Sequence, residues 1–298
     1  MNFIFFGSPK FAEIILNKLI ISGFIPAAVV CNPDKPVGRK KVLTSPPTKI
    51  LAQKHGISVI QFEKLDVTSY KLQVPSCDFA VVAAYSKIIP KEIIDIPKLG
   101  IIGAHPSLLP KYRGATPIQS VILNGEKETG ATLFLIDEKV DHGPIFVQRK
   151  LEILNSNFEI LNKRLAELSG DLLTETLPKF LKGEIKLQEQ NHNEATFTKK
   201  FTTEDGFVKS EDLEEAQTKR GQKAIEKALE IERKIRALNP DPGVWTLGFK
   251  SLALPAGEPL RMPDNKRIKL LEGRLSPAGL LILTKIQVEG KTPFVIKA

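Results

Sequence analysis

Among four histidines in the chain, His105 stands out by its surroundings. It closes the apolar run Gly100-Ile101-Ile102-Gly103-Ala104 and opens a loop bounded by prolines, Pro106-Ser107-Leu108-Leu109-Pro110. Imidazole takes and gives a proton near neutral pH, so a histidine at such a point is a candidate acid or base. The prolines leave the loop few backbone conformations, which suits fixed positioning of a ligand. A second candidate is Asp141, in the turn Asp141-His142-Gly143 between two apolar runs. Read plainly, this is a hairpin turn, where aspartate and glycine are common. Read as chemistry, a carboxylate reaching His105 would orient its ring so that the pair manages a proton during acyl transfer. Spacing leaves both readings open.

A third group is cationic. Asn32-Pro33-Asp34-Lys35-Pro36-Val37-Gly38-Arg39-Lys40-Lys41 reads as a loop after the second strand. Lys35, Arg39, Lys40 and Lys41 could clamp phosphates there, or simply be solvated. The formal net charge is +9, which draws polyanions. From Lys209 onward there are 17 Lys and Arg against 12 Asp and Glu, so about half of the excess lies in the last third. Trp245 is expected in the core rather than as a stacking platform, and His55 and His192 on the surface. Cys31 and Cys77 form no CxxC pair and have no histidine at ligand spacing. They are expected as reduced structural residues, with no metal site.

The elements that must position these groups follow from periodicity. Short apolar runs, Phe3 to Phe6, Pro26 to Val30, Phe79 to Ala83 and Gly100 to Ala104, alternate with amphipathic stretches such as Pro9 to Ser22. Fully apolar strands joined by helices indicate a mostly parallel sheet covered on both faces. In such sheets ligands bind beyond the carboxyl ends of the strands, where His105 lies. Gly7-Ser8-Pro9 lacks the GxGxxG spacing and is not read as a nucleotide site. Ala131 to Ile136 and Pro144 to Leu151 read as paired strands, followed by a helix from about Phe158 to Leu181.

The polar stretch from Gly183 to Glu204 reads as a linker. Beyond it, Ala228, Ile231, Ile235 and Leu238 mark a helix with one buried stripe. Runs at Val244 to Phe249, Arg267 to Leu271, Leu280 to Ile286 and Pro293 to Ile296 then suggest a small β-barrel. The organisation expected is an α/β domain over 1–183, a linker over 184–204 and a β-rich domain over 205–298. At 298 residues the chain can bury two cores. No apolar run reaches the roughly 20 residues that span a bilayer, so a cytoplasmic protein without membrane contact is expected; a monomer is expected as well.

Taken in order, several segments resemble those of the methionyl-tRNA formyltransferases, in the folate-dependent formyltransferase family. They are Phe6-Gly7-Ser8-Pro9-Lys10-Phe11-Ala12, Asn32 to Arg39, Tyr85-Ser86-Lys87-Ile88-Ile89-Pro90, His105 to Gln119, and Thr129-Gly130 through Asp141-His142-Gly143. The resemblance implies a Rossmann-like catalytic domain followed by an OB-like barrel that binds tRNA. It implies 10-formyltetrahydrofolate as donor and initiator methionyl-tRNA as acceptor, in translation initiation. It implies His105 and Asp141 as catalytic, and a donor site at Ser107, Leu108, Leu109, Pro110, Tyr85, Ile88, Ile89, Pro90 and Asp137. Lys35, Arg39, Lys40 and Lys41 would meet tRNA.

Two positions depart from the family pattern. Tyr85-Ser86 stands where the family has Tyr-Gly, and Gly103 stands where it has a catalytic asparagine two residues before the histidine. The family asparagine donates its amide to the oxyanion formed when the amine attacks the formyl carbon. Losing one such donor costs on the order of 10² to 10³ in rate. Protonated His105, another donor or a water could replace it, or the chain is a weakened or inactive folate- or tRNA-binding homologue. A sugar nucleotide or glycinamide ribonucleotide is the alternative acceptor. Restoring asparagine at Gly103 is the expected discriminator between a damaged and a substituted site.

Overall fold

The computed structural model describes residues 2–38, 40–248 and 266–296. Backbone packing divides the chain into two compact units, 1–117 with 128–152 and 160–198, and 118–127 with 153–159 and 199–298. Residues 184–198, expected in a linker, therefore belong to the first unit.

The first unit is built on a seven-stranded sheet in the order Ile145–Glu152, Glu128–Leu135, Ile101–His105, Phe79–Val82, Phe3–Phe6, Ala28–Cys31, Ser58–Gln61. The last five run parallel, and the pair Glu128–Leu135 and Ile145–Glu152 is added antiparallel. Phe3–Phe6 is the middle one of the five parallel strands; all four of its residues are apolar and all are buried, as a strand covered on both faces requires. The helix Lys10–Ile21 turns Phe11, Ala12, Ile15, Leu16, Leu19 and Ile20 onto the sheet. Their steps of three and four make one apolar stripe, each large side chain contributing about 1.5–3 kcal/mol on burial. The helix Phe158–Leu181 buries Leu161, Leu165, Leu172, Leu173 and Leu177 in the same way.

Several elements differ from the sequence expectations. Ser58–Gln61 is an edge strand whose polar ends hid it from an apolar-run criterion. The cationic loop is a β-hairpin, Lys35–Val37 paired with Val42–Thr44. Its base is pinned by Asp34, which accepts from Lys49, Gln61 and Ser45 at 2.9 Å. Gly7-Ser8-Pro9 is tied structurally, with Asn32 N donating to Ser8 Oγ and Thr48 Oγ1 to the Gly7 carbonyl.

The second unit holds the helices Ser210–Thr218 and Gln222–Leu238 and a four-stranded antiparallel sheet, Trp245–Leu247, Arg267–Leu275, Leu281–Val288 and Phe294–Val295. The helix before the predicted one, Ser210–Thr218, was not expected. The run predicted to Phe249 ends, among the described residues, at Leu247; Phe249 lies outside them. Trp245 is half-buried, with the Arg267 guanidinium 3.8 Å from its ring and its Nε1 donating to the Thr203 carbonyl. Cys31 and Cys77 are free thiols, as expected, and burial pushes the Cys31 thiol up to about 11. No helix of the described residues is long and apolar enough to cross a membrane.

Candidate active site

His105 is the last residue of the strand Ile101–His105 and is buried. Its Nε2 faces the Tyr112 carbonyl at 2.9 Å and its Nδ1 faces Asp141 Oδ2 at 3.6 Å. The ring thus stands between a carbonyl at hydrogen-bond distance and a carboxylate oxygen just beyond it. The same Asp141 oxygen accepts from the Gly114 amide at 2.7 Å. The turn seen in the sequence thus places its carboxylate 3.6 Å from the histidine ring.

The proline-bounded loop is braced from within. Ser107 Oγ donates to the Lys111 carbonyl, and Thr132 Oγ1 donates to the Ser107 carbonyl at 2.6 Å while accepting from Leu109 N. Gln148 Nε2 reaches both the Leu109 carbonyl and Thr132 Oγ1. Leu108 packs over Gly130, where an added Cβ would come within 2.4 Å of it. Loop rigidity was legible from its prolines; Thr132 and Gln148, on the two antiparallel strands, carried no sequence signal of that role.

Gly103 lies two residues before His105, so both project from the same face of the strand. Its cross-strand partner is Phe134. A Cβ at Gly103 would meet Phe134 Cε1 at 2.4 Å and Cζ at 2.6 Å. The ring fills the space that a side chain at 103 needs, packed with Leu109, Ile145 and Ile136. Ile136 also packs in a second apolar cluster with Tyr85 and Ile89. Tyr85 is half-buried, its hydroxyl without a hydrogen-bond partner among the described residues, and burial pushes its pKa up to about 12. Ile88 is 88% exposed and Pro90 precedes a short helix, Lys91–Ile94.

Asp137 meets His142, Oδ2 to Nδ1 at 2.6 Å. The His142 ring stacks on His192 at 3.9 Å, and Arg113 Nη2 donates to His192 Nδ1 at 2.9 Å. Desolvation, then electrostatic repulsion from the neighbouring His142 and Arg113 side chains, pushes the pKa of His192 down. His192 is exposed as expected, yet it belongs to this network, a placement no local pattern foretold. Lys35, Lys40 and Lys41 are exposed on the hairpin, away from these contacts, while Arg39 lies outside the described residues.

Sequence and structure comparisons bear on what this arrangement serves. The profile of the formyl transferase family matches residues 1–177, which contain His105, Asp141 and the bracing loop. A methionyl-tRNA formyltransferase of Kosmotoga olearia is 40% identical over 249 residues, 83% of this chain and 76% of that protein. This chain belongs to the formyl transferase family. Solved structures agree on the fold. Methionyl-tRNA formyltransferase from Clostridium thermocellum superposes with a TM-score of 0.57 at 17% identity, covering 97% of this chain and 98% of that one. An N-formyltransferase from Helicobacter canadensis, solved with folinic acid and dTDP-3-aminofucose, gives 0.58 at 20% identity, covering 97% and 98%. At these identities the likeness shows the fold alone. In this formyl transferase the strand-end histidine lies 3.6 Å from the turn aspartate, and Gly103 faces an aromatic ring.

Proposed function

We propose that this formyl transferase moves a formyl group from 10-formyltetrahydrofolate to the α-amine of initiator methionyl-tRNA, the step that prepares translation initiation. The observation that carries the reading is His105, oriented between a carbonyl and the Asp141 carboxylate at a strand end. It stands in a chain whose sequence relatives are methionyl-tRNA formyltransferases. In the reaction the amine nitrogen bonds to the formyl carbon, the bond from that carbon to the folate nitrogen breaks, and the proton lost by the amine replaces the formyl group on the folate. The folate supplies an activated one-carbon unit. His105 and Asp141 hold the proton, and the protonated ring stabilises negative charge developing on the formyl oxygen.

The donor site is proposed at the braced ledge Ser107, Leu108, Leu109 and Pro110, with Tyr85, Ile88, Ile89, Pro90 and Asp137 beside it. Ile136 supports this reading, because it packs against both the Leu109, Phe134 and Ile145 cluster and the sheet-side cluster on which Tyr85 and Ile89 also pack. The orphaned Tyr85 hydroxyl fits a ligand with polar ring atoms. Lys35, Arg39, Lys40 and Lys41 are proposed to meet tRNA phosphates, which the exposed hairpin and the net charge of +9 support. The proposed organisation is a Rossmann-like catalytic domain over 1–183, a connecting segment over 184–204 whose first part, to residue 198, packs with that domain, and an OB-like tRNA-binding domain over 205–298, acting as a cytoplasmic monomer.

A second reading, a weakened enzyme, is favoured by one observation: Phe134 occupies the space beside Gly103, so no amide reaches the oxyanion from that position. A single-turnover assay with 10-formyltetrahydrofolate and charged initiator tRNA tests both. Formyl-methionyl-tRNA at a measurable rate supports the proposal; none above background rejects it as a present activity. Should a sugar nucleotide outcompete tRNA, the acceptor assignment falls.

A further inference from the structure

Residues 188–198 are polar and lack a repeating apolar pattern, yet they dock on the first unit. Ile145 and Gln188 exchange both backbone hydrogen bonds, at 2.7 and 2.9 Å. Phe197–Thr198 pairs in parallel with Arg113–Gly114. Between these anchors Gln190 turns inward and is 5% exposed. Its Nε2 donates to the Asp141 carbonyl at 3.0 Å and to the Gly143 carbonyl at 2.8 Å. Its Oε1 accepts from Arg113 Nη2 at 2.6 Å, and Arg113 is itself 3% exposed.

A primary amide has two donor protons on one side and an acceptor on the other. Here both protons are taken by the carbonyls of one turn and the oxygen by a buried guanidinium, so the amide has one workable orientation. The turn it grips needs gripping. Asp141 has φ of 49°, a left-handed backbone conformation that aspartate tolerates better than most side-chain-bearing residues and that surrounding contacts must still hold. Gln190 brackets that residue by its own carbonyl and by the carbonyl two positions on. The other end of Asp141, its carboxylate, is fixed by Gly114 N, and Gly114 lies on the strand that the same segment pairs with.

We propose that Gln190, oriented by Arg113, is a positioning residue that holds Asp141 in reach of His105. The stretch that looked like a linker completes the site. The inference rests on the proposed role of Asp141 in formyl transfer, but its contacts can be tested without turnover.

The test substitutes Gln190→Met, of similar length but without hydrogen-bonding groups, in the full chain. Two measurements are made. Hydrogen exchange of the Gly114 amide, whose acceptor is Asp141, is expected to quicken about tenfold or more in the absence of substrates, while the Ala83 amide in the central sheet stays unchanged. For formyl transfer to methionyl-tRNA, kcat is expected to fall about 10- to 100-fold with KM held within about twofold. An unchanged Gly114 amide in the folded variant overturns the proposal. So does equal quickening of Gly114 and Ala83, which would mark Gln190 as a general stabiliser. If Gln190→Met does not fold, Gln190→Asn, too short to span both partners, is expected to move the same amide in the same direction. A lack of transfer by the unaltered chain would overturn the reaction, while the exchange measurement still decides the grip on Asp141.

Discussion

Restoring asparagine at position 103 is the natural attempt to raise activity, and the structure predicts that it fails alone. The new Cβ would lie 2.4 and 2.6 Å from Phe134 Cε1 and Cζ, with Cδ1 at 3.1 Å. The ring cannot swing clear at little cost, because it is buried against Leu109 and Ile145. Overpacking of this kind costs about 1–3 kcal/mol, and an amide left there without a partner adds about 1–3 kcal/mol. Gly103→Asn is therefore expected to lower the thermal midpoint by several degrees, at about 2–4 °C per kcal/mol for a chain of this size, with no gain in rate. Adding Phe134→Leu removes Cε1 and Cζ, the two closest atoms. The double variant is expected to recover stability and to speed single-turnover formyl transfer on the order of 10² to 10³. A single Gly103→Asn chain that gains that factor with an unchanged midpoint would refute the steric argument. A double variant with the original rate would show that another donor already serves the oxyanion.

Three further predictions concern the supports of the site. Gly143→Ala would set a Cβ 2.0 Å from the Leu135 carbonyl oxygen; the turn must shift, and transfer is expected to fall about 10²-fold, measured against donor and tRNA at saturation. Asp34 is held at about pKa 2, below its ordinary 3.8, first by the Gln61 hydrogen bond and then by Lys49 and Ser45. A lowered carboxylate stabilises the fold above its unfolded value and loses that contribution as pH falls through the folded one. The thermal midpoint of Asp34→Asn should therefore trail the unaltered chain at neutral pH, with the gap closing between about pH 4 and pH 2; a gap constant down to pH 2 would count against the ion pair. Lys40→Ala with Lys41→Ala should weaken methionyl-tRNA binding and flatten its logarithmic salt dependence by about one for each phosphate no longer neutralised, and an unchanged slope would remove the hairpin from the tRNA interface.

The parts of this protein that could be read from its sequence are those written in local patterns. Phe3 to Phe6 and Ile101 to His105 are apolar runs of strand length, and only a sheet covered on both faces buries them fully. Such a run ending in histidine and a proline-bounded loop marks the strand end where ligands gather. The steps of four in Phe11, Ile15 and Leu19 determined a helix and its inner face. Ser58–Gln61 escaped because an edge strand with polar ends has no continuous apolar run, and the hairpin at Lys35 to Thr44 because its short exposed strands bury nothing.

Tertiary structure alone decided what the site residues meet. His105 and Asp141 are joined through an antiparallel register that sets Gly103 opposite Phe134 and His105 opposite Thr132, and a shift of one residue would have turned each of those side chains to the other face. The grip of Gln190 on Asp141 spans 49 positions, and it depends on polar groups whose pairing leaves no periodic trace. Composition and local periodicity thus determined that a histidine would stand at the mouth of a mostly parallel sheet. Which groups hold its aspartate, and what fills the space beside it, were settled by contacts between segments far apart in the chain, because hydrogen-bond partners and cross-strand neighbours are chosen by the folded backbone.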